Sequence, residues 1–307
     1  FIQSIAMSYG FNRMYSGSLI KEEGVMTYLT IAIVLTAGTA FLLWLGEQIT
    51  EKGVGNGISI VIFAGIVAAL PNTVNQIYAQ QFENAGDQLF INIITLVLIA
   101  LAALAIVVGV IYVQQANRKI PIQYAKGSGA QRGAQQSHLP LKVNSAGVIP
   151  VIFAVAFLVT PRTIATFFED NKVTQFIERT FDYSQPVGMI LYVALIVAFT
   201  YFYAFVQVNP EKVSDNLKKQ GAYIPGIRPG KSTQDYLTTV LYRLTFVGAI
   251  FLAVVAVLPI LFINIANLPS SAQIGGTSLL IVVSVALETM KQLESQLVKR
   301  HYKGFMK

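Results

Sequence analysis

The chain has 307 residues, of which 54% are hydrophobic and 12% are charged, and its formal net charge is +7. Soluble globular domains carry roughly 25% charged residues, so this composition excludes that class and indicates a polytopic, all-α membrane protein. The absence of cysteine excludes disulfides, thiolate nucleophiles and cysteine metal sites, and the only imidazoles are His138 and His301, in separate polar segments. We therefore expect no catalytic residue, no cofactor and no metal site.

The chain opens with an apolar segment, residues 1–11, that lacks the charged start of a signal peptide. It is too short to cross a bilayer core of about 30 Å, which takes roughly 20 helical residues. We interpret it as the end of a span that begins upstream. Residues 25–46 are predicted to form the first complete span, with Trp44 near a membrane interface, where tryptophan is enriched.

The next apolar run, residues 58–70, is unusually short and is closed by Pro71. It is either a re-entrant segment or a full helix whose missing length comes from the glycine-rich approach at residues 53–57. The charge pattern changes sign across it, which favours a full crossing. Residues 72–89 contain acidic residues but no Lys or Arg, so we expect an outer loop.

Residues 89–113 are predicted to be a full span, and the segment that follows, 114–144, is the most basic in the chain. It has no acidic residue and carries Arg118, Lys119, Lys126, Arg132 and Lys142. Cytoplasmic loops are rich in Lys and Arg, so we place this segment inside. The alternating pattern of residues 120–124 favours a short β-hairpin projecting from the membrane, and a disordered basic loop is the alternative.

Four further spans are predicted in the rest of the chain, at residues 146–160, 187–208, 237–265 and 277–287. The first has Pro150 inside it and Pro161 at its end, so we expect it to lose a backbone hydrogen bond at Pro150. Residues 162–186 are placed outside, and the basic tail after Glu288 is placed inside. The whole topology is one partial and seven complete spans.

A polar island, residues 209–237, separates two long apolar runs and carries five Lys or Arg against three acids. Two prolines and two glycines in residues 223–230 predict a stiff, non-helical turn that presents Arg228 at its tip. We interpret the island as a cytoplasmic docking surface. The alternative is an ordinary solvated loop in which Pro and Gly only reverse the chain.

Ionisable residues are scarce within the predicted spans, where Arg243 and Glu288 lie near the ends. Proton-coupled transporters usually place acidic, basic or His side chains inside the membrane, so this scarcity argues against that class. The same scarcity does not exclude sodium sites built from backbone carbonyls at broken helices.

Four passages, taken together, resemble the bacterial, Bacillus-like form of the SecY family: GVGNGISIVIFAGIVAALP (53–71), HLPLKVNSAGVIPVIFA (138–154), DNLKKQGAYIPGIRPG (215–230) and GGTSLLIVV (275–283). The resemblance runs the length of the chain. It implies a helical bundle of two inverted halves that forms the channel subunit of a protein translocon in the plasma membrane.

The family pattern divides the chain into four parts. Residues 1–71 would be the remainder of the N-terminal half, residues 72–89 an outer connection, residues 90–293 the C-terminal half, and residues 294–307 a cytosolic tail. The family has ten spans, and its first two spans and plug segment have no counterpart in this sequence. The apolar runs at 55–70 and 275–287 both begin with paired glycines, one from the inner side and one from the outer side, which is a weak sign of the inverted repeat.

The resemblance also implies an hourglass pore whose waist is a ring of apolar side chains. The matching positions are Ile58, Ile62, Ile152 and Ile281. Ile58 and Ile62 are one helical turn apart and so face the same way, as a ring requires. Without the motif match, these isoleucines would be read as lipid-facing or packing residues.

A lateral gate, through which apolar segments leave for lipid, is likewise implied by the resemblance. It would involve the first helix and the spans at 146–160 and 187–208, with Pro150 in the second of these. Gln3 and Asn144 are the candidates for a hydrogen bond across the closed gate, worth about 1 kcal/mol in a membrane. The alternative is two interfacial amides that meet water.

For the cytosolic side, the resemblance implies docking of the SecA ATPase and of ribosomes, together with small SecE and SecG membrane subunits. Arg228 matches a functionally critical arginine of the family, and a guanidinium suits carboxylate or phosphate. The docking residues expected from both loops are Arg228, Lys126, Arg132, Arg118, Lys119, Lys218 and Lys219.

Three classes of function compete at this stage. The first is a non-enzymatic protein-conducting channel for signal sequences and unfolded polypeptides, driven by a partner. The second is a secondary transporter for a small solute, which would show saturable uptake. The third, a membrane-embedded enzyme, lacks any paired-carboxylate, His-rich or nucleophile motif.

Overall fold

A computed structural model describes residues 1–14, 19–20, 24–81, 89–124, 137–165, 167–168, 171–266 and 275–304. Within them the chain forms ten helices and three short strands. The helices are α1 Ile2–Met14, α2 Val25–Lys52, α3 Gly57–Gln81, α4 Leu89–Gln115, α5 Ile149–Ala165, α6 Lys172–Phe181, α7 Pro186–Gln207, α8 Pro210–Lys219, α9 Lys231–Ala266 and α10 Gly275–Gly304. The strands are β1 Asn117–Tyr124, β2 Ser137–Lys142 and β3 Ala222–Tyr223.

Five of the described helices are long and apolar enough to cross a membrane: α2, α3, α4, α7 and α9. The apolar helix α5 is shorter, with 17 residues. These helices confirm an all-α, multi-pass membrane protein. The finer count of one partial and seven complete spans stays a prediction, since α10 is long but carries polar residues over its second half.

Helix α3 settles the question of the short apolar run in favour of a full-length helix. It has 25 residues and continues through Pro71 to Gln81, so the prediction that Pro71 ends the helix was wrong. Residues 72–81 are accordingly helical rather than loop. Helices in membranes tolerate proline where neighbouring groups satisfy the freed carbonyl, and this tolerance is invisible in the sequence.

Pro150 was expected inside α5 and Pro161 at its end, and the structure shows the reverse. Pro150 is the second residue of the helix, where its missing N–H would have had no intrahelical partner, so it interrupts nothing. Pro161 lies inside the helix, which continues to Ala165. The predicted boundaries were wrong because the helix begins three residues later and ends five residues later than the apolar run.

The main core is built by five helices, α4, α5, α7, α9 and α10. Its members are apolar and buried, and the largest include Leu158, Tyr192, Ile196, Leu252 and Leu280. The helices before residue 82 pack around this core, since α1 contacts α2 and α5 while α3 contacts α2 and α10. The core therefore lies in the part of the chain expected to be the C-terminal half.

The two polar loops fold together into one unit, which we call the platform: the strands β1, β2 and β3 with α8 and the turn before α9. β1 pairs antiparallel with β2, from Asn117 opposite Lys142 to Ile122 opposite Ser137, which confirms the predicted hairpin. β3 adds to the other edge of β1 and gives the order β2-β1-β3. Ile120 and Ile122 point inward and pack with Leu217 and Ile224, so burial of alternate residues holds the sheet to α8.

Candidate functional site

A polar cavity of about 660 Å³ lies between five helices on the side of the molecule that carries the platform; we call it the vestibule. Its wall comes from the last turn of α4, the end of α7, the start of α3, the bend at residues 142–149 that leads into α5, and the middle of α10. Most lining side chains are uncharged and polar, including Asn56, Ser59, Gln114, Asn144, Ser145, Gln207, Ser284, Gln292, Ser295 and Gln296. The charged ones are Lys142, Glu288 and Lys291.

Three of the four predicted ring isoleucines lie one helical turn deeper than the vestibule lining. Ile62 follows the lining residue Ser59 by three positions in α3, and residues three or four apart share a helix face. In α5, Ile152 follows the lining residues 148–149 in the same way. α10 runs toward the vestibule, so Ile281, three residues before Ser284, is again deeper.

Ile58 occupies a different place from the other three. It lies in the first turn of α3, beside the lining residue Ser59, and is 46% exposed. Its Cγ1 would lie 3.1 Å from a Cβ added to Gly46 of α2, so part of its side chain packs against that helix. Ile58 therefore lies at the level of the lining, one helical turn before Ile62.

Asn144 is a buried polar side chain in the wall of the vestibule, with 4% of its surface exposed. Its Nδ2 donates to the Gly147 carbonyl oxygen at 3.0 Å, across a bend in which Gly147 has a φ of +66°. Its Oδ1 has no hydrogen-bond partner among the described residues. A buried acceptor left unpaired costs free energy, so a donor that reached this oxygen would stabilise the site.

The predicted hydrogen bond between Gln3 and Asn144 is absent from the described part of the chain. Gln3 lies exposed in the first turn of α1, while the Asn144 amide is turned inward to the backbone of its own bend. Sequence reasoning paired them as the two polar residues of the seam without knowledge of that local bend. Pro150, the third gate candidate, is buried in the first turn of α5.

Sequence reasoning missed the polar contacts of α10. The Gly55 N–H donates to Gln292 Oε1 at 2.7 Å and so ties the α2–α3 turn to α10. Gln114 of α4 donates from Nε2 to Ser284 Oγ at 3.1 Å. Ser284 and Gln292 are eight residues apart and share one face of α10. That polar face, inside an otherwise apolar chain, was the signal that could have identified them.

The platform presents its basic side chains to solvent. Arg118, Lys119, Lys218 and Lys219 are all exposed. Arg228 is exposed too, and lies between a turn closed by the Ile227 N–H to the Ile224 carbonyl and the first residue of α9. The turn itself has Pro225 and Gly226 at its tip, so Arg228 follows the tip rather than forming it.

The backbone at Arg228 is held in place while its guanidinium is left available. Thr233 Oγ1 donates to the Arg228 carbonyl at 2.9 Å, and Ser214 of α8 donates to the Gly230 carbonyl at 2.9 Å. No ion pair of the Arg228 side chain occurs among the described residues. The other two predicted docking residues, Lys126 and Arg132, lie outside the described residues.

The fold and the site define a class: a multi-pass helical membrane protein with a polar vestibule on the side that carries the platform. The SecY family model matches residues 1–290. The translocase subunit SecY of Bacillus licheniformis is 74% identical over 309 residues, covering 100% of this chain and 72% of that protein. The corresponding protein of Bacillus subtilis is 70% identical with the same coverages, and that of Staphylococcus aureus 58% identical, covering 99% and 71%.

Solved structures agree with this assignment. A SecY channel structure, described for its plug domain and closed state, matches with a TM-score of 0.63 at 18% identity, over 97% of this chain and 71% of that one. A structure described as a protein-conducting channel matches with a TM-score of 0.60, also at 18% identity, over 97% and 70%. The chain belongs to the SecY family.

Proposed function

We propose that this chain is the pore-forming subunit of a protein-conducting channel and that the vestibule receives the polypeptide on its way across the membrane. One observation carries the proposal: in each of three helices that line the polar cavity, an isoleucine lies about one turn further into the bundle than the lining residues. A wall of amides and hydroxyls keeps an unfolded chain hydrated without binding it firmly. A waist of β-branched side chains offers no hydrogen bond and dewets when empty.

A small-solute transporter is disfavoured, because the relatives are translocase subunits and the lining of the vestibule is mostly uncharged and polar, with few charged groups to bind an ion or a charged solute. The chain performs no covalent chemistry in this scheme, and the driving energy comes from a partner. We place the platform and the C-terminal tail in the cytoplasm of a bacterial cell, because Lys and Arg concentrate in these segments and cytoplasmic segments are rich in both residues.

The waist can be tested by making it polar. In the reconstituted channel, Ile152→Asn or Ile281→Asn is expected to raise ion conductance at rest and to allow export of precursors with defective signals, because a polar group hydrates the constriction. Ile281→Val keeps the site apolar and is the control, together with Ser295→Asn at the already polar mouth of the vestibule. Unchanged conductance and unchanged stringency in both Asn variants would remove these residues from the waist.

The platform is the proposed docking surface for a SecA-type ATPase and for ribosomes, and Arg228 is its central contact. Arg228→Glu should abolish ATPase-driven translocation in proteoliposomes without loss of assembled channel, because the side chain packs against nothing in the core. Removing one partner of a desolvated charged contact commonly costs about 2–5 kcal/mol. At about 1.4 kcal/mol for each factor of ten, partner binding should weaken by roughly 30-fold or more.

Matched variants separate the docking role from a structural one. Arg228→Lys keeps the charge but loses the planar guanidinium that can make two parallel hydrogen bonds, so its translocation should fall less than that of Arg228→Glu. Lys231→Glu, three residues away, should act weakly and in a salt-dependent way. Normal translocation by Arg228→Glu would refute the docking role, and loss of assembled channel would identify a folding residue.

The seam between α1, α5 and α7 is the proposed lateral gate for signal sequences. In this structure Asn144 is not bonded to Gln3, and its Oδ1 is buried without a partner among the described residues, so an incoming segment that opens the bend could supply the missing donor. A photoreactive group at position 144 should capture the signal segment of a stalled precursor. Capture of lipid alone would take Asn144 out of the gate. Small SecE-like and SecG-like subunits complete the proposed complex.

A further inference from the structure

The short helix α6 joins α5 to α7 and has a face that the protein does not cover. One side of it packs inward: Thr174 is buried, and Ile177 and Phe181 are half-buried, with Phe181 against the main core. The opposite side is polar and exposed, with Lys172, Gln175, Glu178 and Arg179.

Between these two sides lies an apolar strip formed by Val173 and Phe176. In a helix of about 100° per residue they fall about 60° apart, with Val173 about 40° from Ile177 and Phe176 about 40° from Lys172, at the edge of the polar side. Each is 68% exposed. The apolar arc of α6 is therefore wider than the arc that the protein buries.

The rotation of α6 about its axis is fixed by the turn at its C-terminal end. Asp182 Oδ1 accepts from the Ser184 N–H at 3.0 Å and lies 3.8 Å from Arg162 Nη1 at the end of α5. A Cβ on Gly188 of α7 would collide with the Asp182 carbonyl oxygen, so glycine allows this turn to sit directly on α7. The strip formed by Val173 and Phe176 is consequently held on the outer surface of the protein.

The position of α6 along the bundle is set by its neighbours. α6 follows the end of α5 and precedes the start of α7, whereas the platform adjoins the opposite ends of those two helices. Ile164 in the last turn of α5 and Val187 in the first turn of α7 are 47% and 61% exposed. The apolar outer surface of the spans thus continues up to the level of α6.

We propose that α6 lies in the plane of the membrane surface on the face opposite the platform, with Val173 and Phe176 inserted among the lipids. An amphipathic helix of this kind buries its apolar face about 5–10 Å into the boundary between headgroups and acyl chains. Lys172, Gln175, Glu178 and Arg179 then face water. The inserted pair holds the ends of α5 and α7 at a fixed depth.

The test is a depth measurement in the reconstituted channel. Because the chain has no cysteine, single cysteines at 173, 176, 175 and 178 can each carry an environment-sensitive fluorophore. Labels at 173 and 176 should emit at shorter wavelength and be quenched by lipids with a spin label near the headgroup, more than by lipids labelled near the acyl end. Labels at 175 and 178 should stay in water and respond to an aqueous quencher.

Three outcomes would overturn the proposal: equal exposure of all four labels to water, equal quenching of all four by lipid, or shielding of 173 and 176 that appears only at high channel density. The last would indicate a second copy of the chain as the occupant. The inference rests on the membrane topology of the proposed function but not on translocation, so a channel inactive in transport can still show the expected depths. An unchanged melting temperature of each labelled variant verifies that the fold is intact.

Discussion

At the turn between α2 and α3, single atoms decide how closely two helices pack. Thr50 Oγ1 donates to the Gly46 carbonyl at 2.9 Å and accepts from the Gly57 N–H at 2.8 Å, so one hydroxyl links both helices. A Cβ on Gly57 would collide with the same Gly46 carbonyl oxygen. Gly55, in the same turn, has a φ of +92°, a conformation that favours glycine.

Gly57→Ala should therefore destabilise the protein, because the turn must open to make room for one methyl group. Overpacking of this kind typically costs about 1–3 kcal/mol. Gly65→Ala in the same helix is the control, since nothing lies within 4 Å of its added Cβ. Thermal unfolding of the purified variants should show a lower midpoint for Gly57→Ala alone. Equal midpoints would mean that the turn adapts without cost.

Sequence reasoning found the glycine-rich motif of this turn but could not tell which glycine is sterically required. That depends on where the Gly46 carbonyl lies, eleven residues earlier in the chain. The same limit explains the wrong pairing of Gln3 with Asn144. Both residues were identified as polar candidates at the gate, but the hydrogen bond of Asn144 goes to a backbone atom in its own bend.

At the scale of elements, α10 and the α2–α3 turn are joined by a contact between segments 237 residues apart in sequence. The Gln292 side chain accepts from the Gly55 backbone and so holds α3, with Ile62, against α10, with Ile281. We expect this contact to keep two sides of the proposed waist in register. It lies at the vestibule level, about two turns from Ile62 and about three turns from Ile281.

Gln292→Ala should lower the thermal midpoint, since a hydrogen bond of this kind contributes about 0.5–1.5 kcal/mol, and it should raise resting conductance. Gln292→Glu retains an oxygen acceptor and should restore most of both properties. Gln296→Ala, one turn further along the same lining, controls for the loss of an amide from the vestibule. If Gln292→Ala and Gln296→Ala behave alike, the contact does not hold the helices.

Elements were predictable where burial in lipid dominates the sequence pattern. Continuous apolar runs of span length gave α2, α4, α7 and α9, and alternating Ile residues gave the hairpin β1–β2. Proline positions misled the boundaries of α3 and α5, because a helix in a membrane gains more from continued backbone hydrogen bonding than it loses at one missing N–H. The short helix α8 within the polar island was also unforeseen, although Asn209 caps it through the Glu211 and Lys212 N–H groups.

At the scale of the whole molecule, the main lesson concerns assembly of distant segments. The two basic loops were predicted separately, but the pairing of Gln123 with Tyr223 makes them one platform. The vestibule likewise draws its wall from five helices, and its amides and hydroxyls look unremarkable one at a time in the sequence. Only the resemblance to a family suggested that these parts belong to one path.

The central claim is that a polypeptide passes through the vestibule and between the isoleucines below it. A photoreactive amino acid placed at 62, 152 or 281 in the reconstituted channel should crosslink to a secretory polypeptide stalled in transit. The same probe at 190, where Ile190 of α7 is 72% exposed on the outer surface of the bundle, should crosslink to lipid instead. Strong capture of the polypeptide at 190 and none at the three waist positions would contradict the account.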